Sequence, residues 1–89
     1  MLIPFPSFES NLNAILGIAE DLRAGRERAA ADSMVQLQSK LGRIQGSARH
    51  TALTEHVRDA LRACRRGEAE CALHILMAAL SAFLPGRAA

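Results

Sequence analysis

The side chains here with the widest chemical reach are two cysteines, Cys64 and Cys71, and three histidines, His50, His56 and His74. Together they hold the sulfur and nitrogen donors that zinc takes, but zinc sites set their ligands at short, regular spacings. In this chain the cysteines stand seven residues apart across Gly67, and His50 and His56 six apart across a helix start. No metal site is expected. The C-x-x-C spacing that supports thiol exchange is absent, and no Cys–His pair suggests a nucleophile with its base. Two thiols flanking the turn of a helical hairpin can form a disulfide only if their Cβ vectors agree. Buried, reduced thiols packing as small hydrophobes are the expectation.

The ionised groups give no stronger signal. Glu20–Asp21 and Glu68/Glu70 read as solvated faces and as acids placed at helix N-termini. Arg23, Arg26 and Arg28 make a small basic cluster with Glu27 embedded in it. The cluster lacks the interleaved aromatics on which single-stranded nucleic acids stack. A net charge of +2, with acids and bases interleaved, falls short of the one-sided excess of a nucleic-acid binder. Catalysis needs ionisable groups converging in a cleft. None converge here, so no catalytic residue, no cofactor and no small-molecule substrate is expected, and nucleic acid is not the expected partner.

Composition points to helices. Trp and Tyr are absent, Phe5, Phe8 and Phe83 are the only aromatics, and Val35 and Val57 the only valines. Strands draw on β-branched and aromatic residues, whereas alanine, leucine, arginine, glutamine and glutamate favour helix. Ten arginines against the single Lys40, with the abundant alanine, suggest a GC-rich bacterial coding sequence. Met1–Phe8 lacks a basic start and its prolines interrupt any apolar run, so it does not read as a signal peptide. With the cysteine usage this predicts a cytoplasmic protein. The most apolar stretch, Cys71–Leu84, is shorter than the roughly 20 residues that span a bilayer, so no membrane role is expected.

The elements follow from periodicity. Pro4 and Pro6 hold residues 1–6 extended as an N-terminal arm. Ser7 can cap a first helix over 7–24, with Leu12, Ile15, Leu16, Ala19 and Leu22 as its apolar stripe and Gly25 as its stop. Ala30, Met34, Leu37, Leu41, Ile44 and Ala48 recur at steps of four and three, a seam that predicts a second helix over 27–45. Gly42 within it suggests close approach of a neighbouring helix. Thr51 caps a third helix over 51–66, with Leu53, Val57, Ala60, Leu61 and Cys64 inward and Gly67 closing it. A fourth helix covers 68–84, and residues 85–89 form a frayed tail. Short loops make consecutive helices antiparallel. The expected fold is all-α: one domain over 1–89, a small antiparallel bundle of three to four helices.

The fourth helix is the most informative. One stripe, Ala69, Ala72, Leu73, Leu76, Leu80 and Phe83, suffices to seal the bundle. A second set, Cys71, Ile75, Met77, Ala78, Ala82 and Leu84, spreads over most of what remains, broken only by Glu70, His74 and Ser81. A helix apolar nearly all round is buried nearly all round, and each large side chain left in water forgoes about 1.5–3 kcal/mol. Either the other helices wrap it, or the second set is an interface. The second reading is preferred, with those six residues as candidate interface and a second copy or another helical protein as partner. The expected role is a non-enzymatic helical interaction module, such as an adaptor, small chaperone or regulatory subunit. A DNA-associated dimeric regulator using Arg23–Arg28 or Arg58–Arg66 is an alternative.

The segment Arg43-Ile44-Gln45-Gly46-Ser47, followed by an amphipathic helix, resembles the region after the acceptor histidine of histidine-phosphotransfer domains. Those are small helical signalling bundles. Gly42 stands where that histidine would fall, so the resemblance implies a signalling bundle unable to accept phosphate.

Overall fold

The computed structural model describes residues 8–44 and 48–83, and they form four α-helices: α1 (Phe8–Arg23), α2 (Glu27–Gly42), α3 (Ala48–Arg65) and α4 (Ala69–Phe83). Each helix packs chiefly on the two beside it, in the closed ring α1–α2–α3–α4–α1. Connections of three to five residues between consecutive helices are of the length that up-and-down bundles use. Ser7, the 1–6 arm, Leu84 and the 85–89 tail lie outside the described residues.

Two hairpins share one closing device. At the end of α1, the Gly25 N–H donates to Leu22 O and the Arg26 N–H to Asp21 O, at 3.2 and 2.8 Å. At the end of α3, the Gly67 N–H donates to Cys64 O and the Glu68 N–H to Ala63 O, at 3.0 and 2.9 Å. These paired bonds satisfy the last orphan carbonyls and need a left-handed residue at their centre. Gly25 and Gly67 supply it, with φ of +82° and +80°. An ion pair braces each turn: Arg26 with Asp21 at 2.9 Å and Arg66 with Glu68 at 3.1 Å.

Two boundaries differ from expectation by three residues each. α2 ends at Gly42 rather than residue 45; the N–H groups of Arg43 and Ile44 turn back onto Lys40 O and Leu41 O, a tightened last turn that uses up the terminal carbonyls. A Cβ on Gly42 would meet nothing within 4 Å. No helix approaches it, contrary to the expected close contact, and its role is to weaken the helix where it stops. α3 begins at Ala48, not Thr51. Thr51 therefore lies inside the helix, and Thr54 Oγ1 donates back to His50 O at 2.8 Å, the intrahelical alternative to capping.

The core runs the length of the ring. α2 contributes Ala30, Met34, Leu37 and Leu41, and α3 contributes Leu53, Val57, Ala60, Leu61, Ala63 and Cys64, all buried. The α2 seam stops there. Ile44 is half-buried beyond the helix end, and Ala48 is exposed on α3. α1 buries Leu12, Ile15, Ile18, Ala19 and Leu22, while Leu16 stays 45% exposed. Ile15 sits at the middle of the buried arc, and Leu16 lies about 100° round from it, beyond the reach of either neighbour. Ile18 takes its place, lining the α1–α2 groove with Ala14, Ser33 and Leu37.

Gly17 is a local weakness in α1. It is exposed, in mid-helix, with open space where a Cβ would go. Gly17→Ala is expected to raise stability by about 0.5–1 kcal/mol, read as a higher urea midpoint with an unchanged slope.

Candidate functional site

The two cysteines and the histidines His56 and His74 do not converge on a common site. Cys64 is buried and Cys71 exposed, and both are free thiols. Cys64 Sγ lies 3.7 Å from Glu27 O. Burial pushes the Cys64 thiol above its ordinary range, the Glu27 carboxylate adds to the effect, and Arg65 opposes it. A thiol held protonated is a poor nucleophile. His56 is half-buried, with Nδ1 2.8 Å from Ala52 O and its ring edge-on to Phe83 at 6.0 Å. His74 is on the exposed face of α4. Among the described residues, no three His, Cys, Asp or Glu side chains gather where a metal could be held.

The basic cluster of the first turn is divided. Arg26 is taken by Asp21, Arg23 extends across to the Met77 sulfur at 3.5 Å, and Arg28 stands exposed. Along α3, Arg58 and Asp59 form a loose ion pair at 3.8 Å.

The surface that stands out is the outer face of α4. The helix buries Ala72, Leu76, Ala79 and Leu80, while Ala69, Leu73, Ile75, Met77 and Phe83 are half-buried against the core. This covers more of the helix than its composition suggests, because α4 packs on both α1 and α3. Met77 goes to the α1 flank, where Arg23 covers it. It is thereby separated from the rest of the candidate interface. Leu84 lies outside the described residues. Cys71, Ala78 and Ala82 are exposed, with Ile75 half-exposed beside them.

These four residues form one line. Steps of four, three and four from 71 through 75 and 78 to 82 are the spacing of a heptad seam. The seam is about 16 Å long at 1.5 Å per residue. His74 and Ser81 border it as a polar rim. Glu70 is the only ionised side chain on α4, and the helix carries no Lys or Arg. Apart from the inner side of Ile75, which packs against the core, this second apolar line is uncovered among the described residues.

Sequence reasoning passed over two further features. Asn11 is completely buried, and among the described residues neither amide atom of its side chain has a hydrogen-bond partner. Val35 is 42% exposed on the shoulder of α2 that faces α3. Among the described residues no helix is long and apolar enough to cross a membrane. Comparison of the chain with protein-family models, with curated proteins and with solved structures returned no match.

Proposed function

We propose that this protein is a non-enzymatic helical interaction module that pairs with a second copy through the outer seam of α4. The observation that carries this reading is the outer heptad line Cys71–Ile75–Ala78–Ala82, exposed at Cys71, Ala78 and Ala82 and half-buried at Ile75, on a helix whose other face is already buried. Small side chains let two helices approach closely, and Ile75 is the one large residue on the line. Symmetric dimers require a self-complementary patch. An antiparallel pairing meets that requirement: Ile75 of each copy lies over Ala78 of the other, and Cys71 faces Ala82. It also sets the two Glu70 carboxylates at opposite ends. A parallel pairing would bring them side by side, at a cost in like-charge repulsion.

A seam this short buries less than the roughly 1,200 Å² of a standard interface, so the association is dynamic, not obligate. The cytoplasmic and bacterial assignments belong to this same proposal, supported by composition. The antiparallel register makes Ala82→Cys informative. In that variant each Cys71 faces the new cysteine of the other copy. Within one chain the two positions are about 16 Å apart on one helix, beyond disulfide reach. Mild oxidation is expected to give a covalent dimer on non-reducing gels for Ala82→Cys and a monomer band for the unmodified chain. Equal cross-linking of the unmodified chain would refute the register in favour of a parallel pair.

A further inference from the structure

We propose that a second copy docks on α3 as well as on α4, with a charged outer line of α3 lying antiparallel on the same line of its partner. The inference rests on the α4 pairing proposed above and extends it. Glu55, Asp59, Arg62 and Arg66 follow one another at steps of four, three and four, and all four are exposed. Such steps keep to one side of a helix, and the Arg66 N–H still bonds Arg62 O at 3.1 Å. The α4 seam, Cys71–Ile75–Ala78–Ala82, has the same steps and so the same length.

Both lines leave the bundle on one side. α4 turns Met77 towards α1, under Arg23. Ile75, two residues back, stands about 160° away at 100° per residue, so the seam runs along the α3 side. α3 turns His56 towards α4, where its ring meets Phe83. Asp59 and Arg66 lie between that side and the outer crest of α3; Glu55 and Arg62 stand on the crest, where Glu55 also borders the cavity towards α2. The lines are level as well. His56 at Phe83 fixes one end of α3 against α4, and the bond from Glu68 N–H to Ala63 O fixes the other. The midpoint of the charged line, between Asp59 and Arg62, thus lies beside the midpoint of the seam, between Ile75 and Ala78.

The order of charges selects the occupant. Two acids stand at the Ala82 end and two bases at the Cys71 end. The two-fold axis that sets Cys71 over Ala82 and Ile75 over Ala78 also sets Glu55 against the partner's Arg66 and Asp59 against the partner's Arg62. A parallel copy would set acid on acid and base on base. A nucleic acid, or a helix of one charge sign, would be repelled by half the line. Within one chain the line is poorly satisfied. Glu55–Asp59 and Arg62–Arg66 are like-charge neighbours at i,i+4, an unfavourable spacing, and Glu55 and Arg62 make no ion pair among the described residues. Asp59 has only the loose, exposed contact with Arg58 at 3.8 Å, which contributes little. Glu68 engages Nε and Nη2 of Arg66, and a guanidinium has five N–H donors, so a second carboxylate can be bound. The helix dipole does not account for the acids, since it acts within the first turn and the first turn of α3 holds none.

Sedimentation equilibrium of the full chain tests this with Asp59→Arg and Arg62→Glu. Each variant alone sets like charges together twice across the axis and is expected to weaken self-association about tenfold at low salt. An equimolar mixture of the two restores opposite charges at both places, so it should associate as tightly as the unmodified protein, as a heterodimer. At about 1 M salt, where the screening length is about 3 Å, the differences should shrink. Thermal midpoints should be unchanged, because both side chains are exposed. Variants that associate as the unmodified chain does would overturn the inference; the α4 seam would still stand if Ala78→Arg abolished association. Two weakened variants whose mixture is not restored would overturn the antiparallel alignment of α3. A monomer at every concentration for the unmodified chain would overturn the inference together with the α4 pairing.

Discussion

Leu76→Ala is expected to destabilise the bundle by about 2–5 kcal/mol, the largest loss of any single truncation in α4. Leu76 is completely buried, at the centre of the face through which α4 packs on both α1 and α3. Truncation removes the transfer energy of the deleted methyl groups and leaves a cavity whose walls are helices fixed by their own turns. A chain of 89 residues has a total stability of about 4–13 kcal/mol at ordinary values per residue, so this one change takes a large share. Urea unfolding followed by circular dichroism measures it. The opposite behaviour is expected at Ala78, on the exposed side of the same helix, where Ala78→Ser should leave the midpoint within about 0.5 kcal/mol. Similar losses at the two positions would mean that α4 does not present Leu76 inward and Ala78 outward.

Asn11→Leu is expected to stabilise the protein. The native side chain is as buried as Ile15 and Leu53, yet its carbonyl oxygen and amide nitrogen have no hydrogen-bond partner among the described residues. An unpaired buried polar group costs about 1–3 kcal/mol, and both ends of this amide are unpaired. Leucine has the same branching with apolar termini. Its greater bulk brings an overpacking penalty of about 1–3 kcal/mol, leaving a net gain of about 1–2 kcal/mol. Thermal unfolding of the two proteins at equal concentration decides it. A lower midpoint for Asn11→Leu would show that the amide is hydrogen-bonded in solution, with buried water as its partner.

Those two residues mark what could and could not be read from the chain. Leu76 belongs to a stripe whose spacing gives both the helix and its inward face, and the same holds for Met34–Leu41 and Leu53–Cys64. Gly25 and Gly67 were legible as stops because a left-handed residue has a strong compositional signature. Asn11 was not, since an asparagine beside Ser10 and Asn13 reads as one of a polar first turn. Its burial is a matter of tertiary packing, which no local pattern contains. Leu16 and Ile18 exchanged roles for the related reason that a helix with two neighbours buries an arc set by their positions, and periodicity alone leaves the edges of that arc undefined. The start of α3 was placed three residues late because Thr51 has a capping side chain, but it is spent inside a helix already begun.

The candidate interface was legible as an excess of apolar residues on α4 but not in its extent. Cys71, Ile75, Ala78 and Ala82 remain together on the outer seam. Met77 is drawn to the α1 flank by the reach of Arg23, a contact between residues 54 apart in sequence.

The most direct test of the α4 seam is the solution mass of the full chain set beside that of Ala78→Arg. Position 78 is exposed, so arginine there leaves the fold intact while setting a charge and a long side chain in the middle of the seam. Sedimentation equilibrium across micromolar to submillimolar concentration is expected to show the unmodified protein in reversible monomer–dimer exchange and Ala78→Arg as a monomer throughout. A monomer at every concentration for both proteins, or the same dimerisation in both, would contradict pairing through this face.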